Sequence, residues 1–130
     1  MSMRIETITM DCRDERTLSA FWTAALGYDV AVDQPGDWMV LQDPDGTGPS
    51  IGLQVVPEPK VVKNRVHLDL IPTKGELEVE VRRLECLGAR RMRYVENDPD
   101  ESHWVMADPE GNEFCCVRPS WEPRPPRPEA

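Results

Sequence analysis

Long apolar runs are absent from this sequence. No stretch approaches the ~20 residues of a membrane-spanning helix, so a membrane is not an expected partner. Basic charge is scarce: 15 Lys and Arg stand against 24 Asp and Glu, a net charge of −9 over 130 residues. An acidic surface repels phosphates, which sets nucleic acid and anionic lipid aside. Histidine is rarer still, with only His67 and His103. The four cysteines, Cys12, Cys86, Cys115 and Cys116, form no C-x-x-C pair, so a structural zinc site has no support. Met1 to Asp11 lacks the basic-then-apolar layout of a signal peptide. The expectation is a cytoplasmic protein whose thiols are reduced and mostly buried.

What is present suits one domain. Apolar residues make up 39% and charged residues 30%, enough for a core and too apolar for intrinsic disorder. Three features occur twice in the same order. Ile8-Thr9-Met10-Asp11-Cys12 resembles Val66-His67-Leu68-Asp69-Leu70; Leu26-Gly27 matches Leu87-Gly88; WMVLQDPDG from Trp38 matches WVMADPEG from Trp104. The offsets of 58, 61 and, at the Asp-Pro turn, 65 residues drift steadily, which points to a duplicated module of about 60 residues.

Each copy reads as strand, helix and three strands. Ile8, Met10 and Cys12 alternate with Thr7, Thr9 and Asp11, a half-buried strand. Asp14 caps a helix whose stripe is Leu18, Phe21, Trp22, Ala25 and Leu26, and Gly27 ends it. Strands follow at Tyr28–Val32, Trp38–Gln42 and Ile51–Val56. In the second copy, Thr73-Lys74-Gly75-Glu76 has the pattern of a capping box. Leu77, Val81, Leu84 and Leu87 line the next helix, and strands follow near Arg90–Val95, His103–Met106 and Glu113–Val117. The expected fold is α+β within a single domain, 1–118. Module one spans 4–57, a linker 57–64, and module two 65–118. Residues 119–130, with five prolines, form a tail that continues neither strand nor helix.

This tandem βαβββ pattern resembles the vicinal oxygen chelate superfamily, which includes glyoxalase I, bleomycin-resistance proteins, fosfomycin-resistance enzymes and extradiol dioxygenases. The most specific segments are Asn64 to Leu70 and Trp104 to Val117, including Asp108-Pro109-Glu110-Gly111-Asn112-Glu113-Phe114. The resemblance implies an open, barrel-like arrangement of eight strands with the helices outside, a cavity for a small molecule, and a homodimer. It also implies that His67 is a metal ligand and that the last strand supplies a carboxylate. Glu113 is the nearest one, as ligand or proton shuttle, because Cys115 holds the usual position. The ion would be a single divalent Zn, Ni, Mn or Fe. Module one offers only Thr9 and Gln54, so the metal set is incomplete. His67 reads equally well as a pocket histidine held by Asp69.

By strand parity, Thr9, Asp11, Arg65, His67 and Asp69 share the cavity side. Trp38 and Trp104, in equivalent third strands, would face each other across it, while Trp22 belongs to the core. Substrate contacts are therefore expected from Thr9, Trp38, Gln54, Trp104 and Cys115. Asp11 and Asp69 are expected to bond the starts of the following helices. Lys60, Lys63 and Arg65 read as a solvated linker, and Asp98-Pro99-Asp100-Glu101 as a solvated loop. Three functions remain open: a glyoxalase-like binder of a small organic ligand; a metal-dependent lyase, isomerase or dioxygenase acting on vicinal oxygens; and an antibiotic-sequestering protein, for which the acidic surface suits a cationic drug.

Overall fold

A computed structural model describes residues 2–96 and 102–123. The chain runs β1 (Thr7–Cys12), α1 (Glu15–Leu26), β2 (Asp29–Gln34), β3 (Trp38–Gln42) and β4 (Ser50–Val55). It then repeats the order as β5 (Asp69–Leu70), α2 (Leu77–Leu87), β6 (Arg90–Val95), β7 (His103–Ala107) and β8 (Glu113–Val117). Each module folds into its own four-stranded sheet, β1-β4-β3-β2 and β5-β8-β7-β6. The first and last strands of each module pair in parallel, and the other pairs are antiparallel. The repeat is thus a repeat of topology, and the architecture is α+β with two open sheets.

Local chemistry explains the elements. The Asp14 carboxylate accepts the free N–H groups of Arg16 and Thr17 and starts α1. Gly27, at φ 69°, supplies the left-handed residue that ends it. The stripe of α1 buries Leu18, Phe21 and Trp22 against Met39, Leu41, Ile51 and Leu53. On α2, Leu77, Val81 and Leu84 are buried, while Leu87 lies at the rim, 36% exposed. The two modules share one core. Trp22 meets Phe21 edge-on at 5.1 Å and Phe114 of module two at 5.2 Å between ring centroids. Its indole N–H donates to the Asp108 carboxylate at 3.1 Å.

The expectation from sequence needs correction in three places. The first strand of module two is two residues long, not the expected five. Extending its register would set residue 67 opposite Glu113, but the Glu113 carboxylate is bonded to the Asn64 N–H at 2.8 Å, drawing the chain off the ladder. The capping box does not form: the residue before α2 is Glu76, whose side chain makes no capping bond. Gly75 turns at φ 77° and helix formation waits until Leu77. The C-terminal segment supplies the cap instead. Glu122 accepts the Leu77 N–H at 3.3 Å, and Trp121 donates to the Gly75 carbonyl at 3.0 Å. The tail therefore begins by returning to module two. Residues 97–101, which hold the expected acidic loop, and 124–130 lie outside the described residues.

Candidate functional site

Side chains alternate across a strand, so register sorts the candidate residues by face. In module one, Met39, Leu41, Ile51 and Leu53 point to the helix. Thr7, Thr9, Asp11, Trp38, Val40, Gly52 and Gln54 share the opposite, open face. Trp38 lies down on this sheet. A Cβ at Gly52 would stand 2.5 Å from Trp38 Cη2 and 2.7 Å from Thr9 Oγ1. Only glycine leaves room for the ring there. Gln54 is held beside it by bonds from Nε2 to the Asp37 carbonyl and carboxylate at 3.0 and 3.2 Å. Thr9, Trp38 and Gln54 are thus brought together as expected.

Trp104 is not with them. It packs on the helix side with Met106 and Cys116. The Arg91 guanidinium sits 4.8 Å above its ring and pairs with Glu78 and Glu85 of α2. The reason is a one-residue difference. Trp38 precedes the turn aspartate Asp43 by five positions and Trp104 precedes Asp108 by four, and a slip of one reverses the face. His103 holds the place equivalent to Trp38, beside Val117 on the open face. Counting back from the two turns, rather than matching tryptophans, finds it.

Module two carries different chemistry on its open face. Cys115 pairs with Asp69 in the ladder, just as Gly52 pairs with Thr9. Asp69, expected to bond the start of α2, instead meets His67. His67 Nδ1 lies 3.2 Å from Asp69 Oδ1 and 3.8 Å from Cys115 Sγ. Cys115 is buried, whereas His67 and Asp69 are exposed. Burial pushes the Cys115 thiol up, and the Asp69 carboxylate adds to this, while Lys63 and Arg93 act in the opposite direction.

Glu113 shares this face but is committed elsewhere. It accepts from Lys60 Nζ at 2.7 Å and from the Asn64 N–H. Burial pushes its carboxyl up, but these donors outweigh burial and hold it below the usual glutamate range. Lys60, expected as a solvated linker residue, is therefore a largely enclosed ion-pair partner, its side chain 20% exposed. The pairing of His67 with Glu113 as metal ligands is not assembled. Among the described residues, the one cluster of three His, Cys, Asp or Glu donors is His67, Asp69 and Cys115. Among the described residues, no imidazole or carboxylate of module one joins this cluster. The family's cross-module ligand set therefore does not fit these residues.

The linker also roofs a cavity of about 750 Å³ at the seam, lined among others by Asp11, Glu58, Lys60, Lys63, Arg65 and Glu110. Its mixed charge favours no single sign of ligand. Asp11 belongs both to this cavity and to the open face of module one.

A family model described as a glyoxalase-like domain matches residues 7–117. Solved structures share the fold at low identity. One is a glyoxalase/bleomycin resistance protein/dioxygenase family enzyme from Burkholderia phytofirmans, 18% identical with TM-score 0.71, covering 88% of this chain and 97% of that one. A fosfomycin resistance protein from Listeria monocytogenes, complexed with Mn(II) and dihydroxypropylphosphonic acid, is 12% identical with TM-score 0.73, covering 90% of each chain. Lactoylglutathione lyase from Agrobacterium tumefaciens is 14% identical with TM-score 0.64, covering 87% and 91%. No curated protein matches the chain. No helix among the described residues is long and apolar enough to cross a membrane.

Proposed function

The chain belongs to the glyoxalase-like domain family, and from that premise we propose that it binds a small planar organic molecule on the open face of module one. The observation that carries this reading is Trp38, a half-buried indole laid over side-chain-free Gly52 beside Thr9 and Gln54. A rigid ring with polar groups at its edge suits a flat ligand. The adjoining seam cavity of about 750 Å³ gives such a ligand room to extend past Asp11. A net charge of −9 favours neutral or cationic compounds, so sequestration of a cationic drug is one form the function would take. The linker leaves Val61, Val62 and Val66 exposed at 83, 76 and 75%. Covering them would support action as a homodimer.

The test is ligand-observed NMR with a panel of neutral and cationic planar heterocycles. Binding is expected to vanish in Trp38→Ala and persist in Trp104→Ala, whose ring packs on the helix side of the other sheet. Hits that survive Trp38→Ala would overturn the reading.

A further inference from the structure

We propose that the open face of module one selects its ligand by hydrogen-bond donors. A flat compound lying on Trp38 is held when its edge carries N–H groups, as an amino-heterocycle or amidinium does, and Gln54 and Asp11 read that edge. This rests on the ligand-binding reading above and narrows it, since that reading leaves the edge chemistry open.

The Gln54 amide carries the argument. A glutamine amide fits its density either way round, and its surroundings decide which atom points where. Three oxygens surround Nε2: the Asp37 carbonyl at 3.0 Å, the Asp37 carboxylate at 3.2 Å and the Val55 carbonyl at 3.2 Å. Carbonyls and carboxylates accept and do not donate, so turning the amide over would set Oε1 against all three. The NH2 group is therefore consumed within the protein. Oε1 has no protein partner among the described residues and is not buried. Gln54 thus offers a ligand an acceptor and no donor.

Strand register adds a second acceptor. Trp38, Gln54 and Asp11 form one row across β3, β4 and β1, and Val40, Gly52 and Thr9 form the next. Neighbours in a row stand about 5 Å apart. The Trp38 ring leans over Gly52 toward Thr9, so a ligand stacked on it has the Gln54–Asp11 row along one edge. Asp11 is exposed, and its carboxylate makes no hydrogen bond or ion pair among the described residues. Lys60, Lys63 and Arg65 border the seam cavity with Asp11, yet Lys60 is committed to Glu113 and none of the three pairs with Asp11. Strands β1, β3 and β4 contain no Lys or Arg. The Thr9 hydroxyl serves either role and the Trp38 indole adds a donor, but the only charge in the two rows is negative.

Full-length protein would be titrated by ligand-observed NMR with matched planar probes. Indole and benzofuran differ in one N–H. Protonated 2-aminobenzimidazole is a flat cation with several, and quinoline-2-carboxylate presents acceptors instead. Indole is expected to bind about fivefold tighter than benzofuran, and the cation more than ~10-fold tighter than indole, as neutral and charge-assisted hydrogen bonds differ. Gln54→Met should bring indole and benzofuran together while both still bind, and Asp11→Asn should erase most of the cation's advantage. Circular dichroism checks the fold of both variants. If no probe binds, or binding survives Trp38→Ala, the underlying reading falls and this inference with it. If the probes bind through Trp38 but benzofuran matches indole, quinoline-2-carboxylate binds tightest, or the preferences persist in Gln54→Met and Asp11→Asn, donor selection alone is overturned.

Discussion

In module one, the turn after β3 closes on itself. Asp43 accepts the backbone N–H groups of Asp45 and Gly48 and the Thr47 hydroxyl, and these backbone donors hold its carboxyl below the usual range. In module two, the same Asp-Pro-acid-Gly turn is built into the seam. Asp108 is buried and accepts from the N–H groups of Glu110 and Asn112, the Asn112 amide and the Trp22 indole of the other module. Burial pushes its carboxyl up, against the pull of those donors. Glu110 reaches further and accepts the Arg13 and Asp14 N–H groups at the start of α1, at 2.7 and 2.9 Å. A duplicated motif has kept its turn geometry in both copies but fastens the two modules together in only one. The Asp108 turn within the family's signature segment is thus largely structural here.

The sharpest way to break this comparison is to remove each turn aspartate. Asp108→Ala should cost about 3 kcal/mol, because it strands several buried donors at once. Asp43→Ala, at a solvated turn, should cost clearly less. Urea unfolding of the two variants measures the difference, and equal losses would mean that the turns are not used differently.

The open faces offer a second contrast. Gly52→Ala would drive a Cβ into the Trp38 ring and should cost about 2 kcal/mol. Adding Trp38→Ala should return part of that loss, since the obstruction is then gone. Cys115→Ala at the matching ladder position meets no such ring and should cost roughly 1 kcal/mol. Thermal unfolding of these three variants tests both the size and the rescue.

The smallest expected effect concerns pH. The folded Glu113 carboxyl lies below the ordinary 4.5, so its contact with Lys60 and Asn64 stabilises the fold above that value. The contribution is lost as pH falls through the folded value. Asp108, raised by burial, works the other way: its contribution is present at low pH and lost as pH rises through its folded value. Acidification below about pH 4.5 should therefore loosen the linker while the Asp108 turn stays closed. Faster amide exchange at Asn64, with Asn112 still protected, would report it. Loss of protection at Asn112 first would contradict it.

Much of this was legible in advance. The α1 stripe, its Asp14 and Gly27 ends and the two turns follow from local periodicity and backbone preference. Both helices and the eight strands came from such patterns together with the repeat. What escaped depended on register or on distant chain. Trp104 changed faces because one residue fewer separates it from its turn. The Thr73–Glu76 capping box did not form, and Glu122, 45 residues after Leu77, accepts the Leu77 N–H instead. Lys60 read as solvated because nothing local announces Glu113, 53 residues away.

The sequence by itself determined the duplicated module, its order of elements and its polar open faces, because spacings of two and 3.6 residues and turn-forming residues act over short stretches. Only the tertiary structure decided which polar groups meet. Pairing β5 with β8 set Cys115 beside Asp69, and pairing β1 with β4 set Thr9 beside Gly52 at the Trp38 ring. Such encounters depend on strand register between segments more than 40 residues apart in the chain, and no local preference specifies them.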